Sequence, residues 1–243
     1  RSVNSRSHEG VVSRGGVHRM DELAQLLRLD HNWGPAVANL RALKASHGAL
    51  AEAAAADYVD VYAGCRGAMI VDVVASRRRK YLTRVKKIVD DWKSANHEHT
   101  IAALAANRLN AAHFGLSEAE VETIATVAQR FRAFAAAEGL TRSADEDHLC
   151  RVWADRVEPF EHAPCLDPVV GSVKGIGLAL WAYMRMRSGA NTLKVDVRVK
   201  KSLRKLGFPA PDDDHAVLIV AKAAAHEVGM SPLVLDQLLW EMK

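Results

Sequence analysis

Asp196 follows Val195 and stands two residues after Lys194, at a point where an extended stretch gives way to a helix. Upstream, the run Val173-Lys174-Gly175-Ile176-Gly177 breaks the chain with two closely spaced glycines at the mouth of another helix. Glycines at such a place supply backbone freedom and no side chain, so main-chain N–H groups can approach a phosphate. A carboxylate at a helix start can stabilise a cationic sugar or steer a water, and it can equally be an ordinary N-cap worth about 1 kcal/mol. A phosphate-gripping hairpin followed by a carboxylate points to DNA, and to chemistry on a DNA base. The elements that position these residues follow from local signals. Asp167-Pro168 predicts the start of a short helix. Gly175 and Gly177 end it, and the next helix spans about Leu178 to Arg187, with Leu180, Trp181 and Met184 turned inward and Arg185 and Arg187 toward solvent. Ser188-Gly189-Ala190-Asn191 closes that helix, Thr192 to Val195 is extended, and Asp196 opens a helix that Leu206-Gly207 closes.

Hairpin, helix and Val195-Asp196 together resemble the helix-hairpin-helix DNA glycosylase superfamily, whose signature is a hairpin close to L-P-G-(I/V)-G, a helix, and V-D opening another helix. The resemblance is clear from Asp167 to about Gly207, with Lys174 where the family usually has proline. It implies that Asp196 is the catalytic carboxylate and that Lys174, Gly175, Ile176 and Gly177 meet the DNA backbone. Bifunctional members carry a lysine two residues after the last hairpin glycine, where this chain has Ala179. The usual Schiff-base amine is therefore missing, which implies a monofunctional N-glycosylase or a catalytically inactive duplex-DNA-binding relative. Trp181, near the hairpin, and Tyr183 are candidate linings of a base pocket.

Charge favours the same surface. Between Gly171 and Gly207 the chain carries Lys174, Arg185, Arg187, Lys194, Arg198, Lys200, Lys201, Arg204 and Lys205 against the single acid Asp196, a net charge of +8 in a chain whose total is +4. Concentrated positive charge is the footprint of a polyanion partner. Lys194, Arg198, Lys200 and Lys201 are accordingly expected on DNA. A second run, Arg77-Arg78-Arg79-Lys80 through Arg84, Lys86 and Lys87, adds seven positive charges and no acid. It reads as a solvated helix face or a further phosphate contact.

With 243 residues and 49% hydrophobic composition the chain can bury a substantial core. It offers no signal-peptide pattern and no membrane span. Cys65, Cys150 and Cys165 cannot ligate a four-cysteine iron–sulfur cluster and make no zinc spacing, so no metal and no cofactor is expected. His97-Glu98-His99 reads as a loop, and Asp212-Asp213-Asp214 as a helix cap rather than a metal site. The expected setting is a monomer acting on double-stranded DNA, cytoplasmic and nucleoid-associated, with no membrane partner.

The remainder reads as helix throughout, giving an all-α fold without internal repeats. Helices are expected from Met20 to about Arg28, Gly34 to about His47, Ala49 to Asp57, Tyr58 to Ala75, Lys80 to about Ser94 and His99 to about Asn110. Ser117-Glu118-Ala119-Glu120 is a capping box opening a helix to Glu138-Gly139, and further helices span Leu149 to Val157, Ala216 to Val228 and Leu233 to Met242. The five tryptophans are read as core. The family arrangement implies two lobes: a six-helix barrel over residues 58–191, and a second lobe from residues 20–57 and 192–243. Residues 1–19, rich in Ser, Arg and Gly, read as a leader or disordered arm before a native start at Met20.

Overall fold

The computed structural model describes residues 22–242, so the expectations for residues 1–19 and for a helix start at Met20 lie outside the described residues. Among the described residues there is helix and no strand, and the fold is all-α. After a helical stretch over residues 22–27, the helices are α1 (Trp33–Asp57), α2 (Arg66–Ala75), α3 (Lys86–Ala95), α4 (Ile101–Ala106), α5 (Ala111–Phe114), α6 (Glu118–Glu138), α7 (Glu146–Arg156), α8 (Leu178–Arg187), α9 (Val197–Leu206), α10 (Asp214–Glu227) and α11 (Pro232–Glu241). None is long and apolar enough by itself to cross a membrane.

Local signals set many of these ends. Ser117 accepts from the Glu120 N–H while the Glu120 carboxylate reaches back to the Ser117 N–H, a complete capping box, and Gly139 at φ 70° ends the same helix. Asp213 and Ser231 cap α10 and α11 as the sequence predicts. Other boundaries differ. The two helices expected between Gly34 and Asp57 are one continuous 25-residue helix, α1, in which Gly48 is interior. A helical glycine costs only about 1 kcal/mol relative to alanine, and α1 lies along α11 and touches α9, so packing outweighs the break. The single element expected from Tyr58 to Ala75 is instead a 3₁₀ turn (Asp60–Tyr62) followed by α2. The helix expected from Lys80 begins with a π-helical turn, Tyr81–Val85, before α3.

α2 is central: every one of its residues is buried, and it packs against α3, α4, α6, α7 and α8. One hydrophobic core runs through the molecule and includes Trp33, Trp92, Trp153 and Trp181. Trp240 is only half-buried, with the Arg198 guanidinium 3.7 Å from its ring centroid and the Tyr81 ring edge-on at 6.1 Å. The expected solvent-reaching Arg185 and Arg187 are also corrected, because both are buried within α8.

Candidate functional site

The approach to the hairpin is a tight turn rather than the short helix expected after Asp167-Pro168. Asp167 is fully buried and gathers five donors: the N–H groups of Val169, Val170 and Gly171 at 2.8–3.2 Å, Trp181 Nε1 at 2.9 Å and Trp153 Nε1 at 3.3 Å. A carboxylate with that many partners holds the chain in a turn where a helix would leave them unused. Trp181 is thereby a structural donor in the core.

Beyond the turn the hairpin rests on α6. Thr123 Oγ1 donates to the Lys174 carbonyl at 2.9 Å, and Arg130 donates to the Pro168 carbonyl and to Ser172 Oγ at 2.8 and 2.6 Å. The two glycines differ in what they answer to. Gly175 has φ 96°, and a Cβ there would lie 2.8 Å from Thr123 Oγ1. Its identity follows from the fold. Gly177, the N-cap of α8, has ordinary extended backbone (φ −106°, ψ −179°), is exposed, and a Cβ there would meet nothing within 4 Å. Among the described residues no side chain caps the first turn of α8, so its leading N–H groups have no side-chain acceptor there. Lys174 is exposed beside them and Ile176 is half-buried.

The loop after α2 joins this hairpin to the region of Asp196. Arg77 Nη1 lies 3.7 Å from where a Cβ of Gly175 would sit, and the neighbouring Ser76 Oγ accepts from Lys194 Nζ at 3.2 Å. Arg77, Arg78 and Lys80 are exposed, and Arg78 is the one non-glycine with positive φ (57°) among the described residues. A bulky residue in that conformation is strained. Arg79 turns inward, bridging Glu120 and the Gly115 carbonyl. Burial pushes the Glu120 carboxyl up, but the Arg79 guanidinium and the Ser117 hydrogen bonds hold it down to about 2.

Asp196 is the N-cap of α9. Its Oδ1 takes both backbone donors, Arg198 N–H at 2.9 Å and Val199 N–H at 3.0 Å, which leaves Oδ2 without a partner among the described residues. Capping is thus a demonstrated role, and it uses half of the carboxylate. The extended segment before it is anchored on both sides: Thr192 Oγ1 donates to Glu161 at 3.0 Å and the Lys194 N–H to Asp236 Oδ1 at 2.9 Å. Asp236 is buried, and burial foremost raises its carboxyl to about 7. Thr192, Leu193 and Val195 are buried, and the Asp196 N–H bonds back to the Lys194 carbonyl at 2.9 Å, a tight turn at Val195 that ends the extended run.

Beneath this segment lies a polar cluster that the sequence did not announce. All four tyrosines of the chain meet there around Asp72 and Arg187. Tyr183 donates to Asp72 Oδ2 at 2.6 Å, and Arg187 Nε is 3.8 Å from the same oxygen. The Arg187 guanidinium covers Tyr58 at 3.8 Å and Tyr62 at 5.2 Å, donates to the Tyr183 hydroxyl at 3.2 Å and to the Tyr81 hydroxyl at 3.4 Å. Lys194 Nζ stands 4.3 Å over the Tyr183 ring. Burial pushes the Asp72 carboxyl up, against the pull of Arg187 and the tyrosine hydroxyls, and the same burial raises the Tyr58, Tyr62 and Tyr183 phenols. The available signal was Asp72 itself, one acid inside the apolar run Ala68–Ala75.

The basic residues of α9 divide. Arg198 and Lys201 are exposed. Lys200 is held by Asp214 at 2.5 Å and by the Asp212 carbonyl at 2.8 Å, and Arg204 by the Ala210 carbonyl. Two cavities, of about 360 and 320 Å³, are lined by Trp153, Phe160 and Asp167 and by Glu158, Glu161 and Arg185, and neither is lined by Asp196, Lys194 or Tyr183. Among the described residues no cluster of His, Cys, Asp and Glu is arranged to hold a metal ion.

No family model, characterised protein or solved structure matches the chain.

Proposed function

We propose that the protein binds duplex DNA and releases a damaged or modified base as a DNA N-glycosylase, with Asp196 as its catalytic carboxylate and the helix-hairpin-helix glycosylase arrangement as its scaffold. In that arrangement residues 58–191 form the barrel lobe, and residues 20–57 with 192–243 the second lobe. The observation that supports the reading is that one basic loop, Ser76 to Lys80, lies beside the hairpin at Gly175 through Arg77 and meets Lys194, two residues before the half-used carboxylate of Asp196, through Ser76. Backbone N–H groups of the α8 start bind one or two phosphates, with Lys174, Arg77, Arg198 and Lys201 adding charge around them. The target nucleotide is flipped out of the stack at a cost of a few kcal/mol, least for a damaged or mismatched base. Asp196 Oδ2 then stabilises the positive charge that develops on the sugar as the N-glycosidic bond breaks.

A second reading has its own support. Trp181 and Tyr183, the expected pocket linings, are both buried and both engaged, to Asp167 and Asp72, so the space in which a flipped base would be read is filled by the chain itself. That favours a protein that grips duplex DNA without base chemistry. Incubation with a panel of damaged duplexes, followed by alkali to cleave abasic sites, separates the two. Base release that drops by about a hundredfold or more in Asp196→Asn, the scale of one lost electrostatic stabiliser, supports the enzyme. Undiminished release in a folded Asp196→Asn protein overturns the assignment, and release from no duplex by a protein that binds them all supports the silent binder.

A further inference from the structure

We infer that the cavity of about 320 Å³ at the far end of α8 binds a free α-amino acid with a basic side chain, its carboxylate on Arg185 and its two cationic groups on Asp155 and Glu158. The site stands apart from the DNA-binding reading. Gly189, Ala190 and Asn191, which line it, follow α8, whereas Gly177 precedes that helix, and its ten residues separate the two ends by about 15 Å. The cavity is near the lower end of the range for small-ligand pockets, about 300–1,000 Å³, and many times the ~30 Å³ share of one water.

Arg185 is the residue that calls for a ligand. It lines the cavity yet is only 3% exposed, and its guanidinium is incompletely answered by the chain. Nε donates to the Ala154 carbonyl at 3.2 Å, and the Trp181 ring lies 4.8 Å from the guanidinium. Nη1, by contrast, is buried without a hydrogen-bond partner. Glu161 Oε1 lies 3.6 Å from it, beyond hydrogen-bonding reach. That carboxylate is already claimed by Thr192 Oγ1 at 3.0 Å and Lys222 Nζ at 2.5 Å. Burial pulls the Arg185 pKa down from its ordinary value, against the attraction of Glu161, Glu158 and Asp155. An unanswered buried donor is costly, most of all on a charged group, and a carboxylate is the acceptor whose two oxygens match a guanidinium edge. On the same lining Asn191 accepts the Leu233 N–H through Oδ1 at 3.2 Å, which leaves its Nδ2 donors without a partner among the described residues.

The remaining charge on the lining is acidic. Asp155 lies in the last turn of α7 and Glu158 opens the 3₁₀ turn Glu158–Phe160; both are exposed, and neither is ion-paired among the described residues. With Glu161 neutralised by Lys222, one arginine faces two carboxylates, an excess of one negative charge. Lysine or arginine as a ligand, with one carboxylate and two cationic groups, answers all three. A simple anion would meet two carboxylates, and a diamine would leave Nη1 unanswered.

The test titrates the full chain with L-lysine and L-arginine. Cadaverine and agmatine serve as the corresponding amines without the carboxylate, Nα-acetyl-L-lysine as the form without the α-ammonium, and L-glutamate as the opposite charge. Binding is read by calorimetry and by the melting temperature, which a ligand of the folded state raises with its concentration. The expected result is saturable binding of lysine or arginine, at least tenfold weaker for the amines, for Nα-acetyl-lysine and for glutamate. The double variant Asp155→Asn/Glu158→Gln, altered only at exposed positions, should also bind at least tenfold more weakly. No saturation at millimolar lysine or arginine, equal binding of any of the comparison compounds, or undiminished binding by the folded double variant overturns the inference.

Discussion

The helix starts at Gly177 and Asp196 are finished in opposite ways. At Gly177 no side chain among the described residues accepts from the first turn of α8, and the backbone there imposes no need for glycine. At Asp196 the chain caps α9 itself, with one carboxylate oxygen. An N-terminus is a site of partial positive charge. Left open, it offers its donors to an anion, whereas filled by a carboxylate it fixes a negative group at a set point. Below both lies a third arrangement, the Asp72–Arg187–tyrosine cluster, in which charge is enclosed and spent on the fold.

Substitutions at rim and floor should therefore differ sharply. Asp72→Ala leaves Arg187 buried opposite no carboxylate and should cost about 3–5 kcal/mol, while Asp196→Ala removes a cap and should cost about 1 kcal/mol. Urea unfolding of the two variants checks this, and equal losses would erase the distinction between floor and rim. Glu120, at the foot of the basic loop, comes next. Its folded-state carboxyl is held down to about 2, below the ordinary value near 4.5 that it regains on unfolding. The stabilisation is present above pH 4.5 and is lost as pH falls toward 2. Glu120→Gln should lose about 2 kcal/mol at neutral pH, the scale of a hydrogen bond to a charged group, and much of the acid sensitivity. Asp236 has the opposite sign. Its carboxyl is raised to about 7, so the folded state holds a proton that the unfolded chain releases near pH 4, and stability declines as pH rises between those values. Asp236→Asn, which still accepts from the Lys194 N–H, should flatten that decline in a pH series of thermal melts.

How far these regions were legible depends on the range of the interactions that made them. The capping box at Ser117 and Glu120, the caps at Asp196, Asp213 and Ser231, and the glycine ends at Gly139 and Gly207 are contacts within a few residues, and sequence shows them directly. Gly48 misled because α11, against which the continuous α1 packs, comes from the far end of the chain. Asp167 misled because two indoles and three backbone donors, rather than a helix, claimed its carboxylate. The cluster around Asp72 left one trace in the sequence, an acid inside the apolar run Ala68–Ala75, and nothing that named its partners. Its members come from the end of α1, the 3₁₀ turn, α2, the π turn and α8, and the arginine that closes it, Arg187, reads in the sequence as solvent-facing charge on α8. The meeting of Ser76 with Lys194, across 118 residues, left no trace.

Smaller effects sharpen the contrast within α9. Lys201 is exposed, while Lys200 is held by Asp214. Lys201→Ala should reduce the slope of log K against log salt for duplex binding by about 0.9, one phosphate contact. Lys200→Ala should change it less, because its charge is already answered by the chain.

Gly177→Val tests the open helix start most directly. Valine suits the extended backbone there, a Cβ at that position meets nothing within 4 Å, and the net charge is unchanged. Duplex binding measured across a salt series, beside a melt confirming the fold, should show a large loss of affinity out of proportion to the unchanged charge. A folded Gly177→Val protein that binds duplex DNA like the parent would reduce the hairpin to a helix connection and remove the main support of the DNA reading.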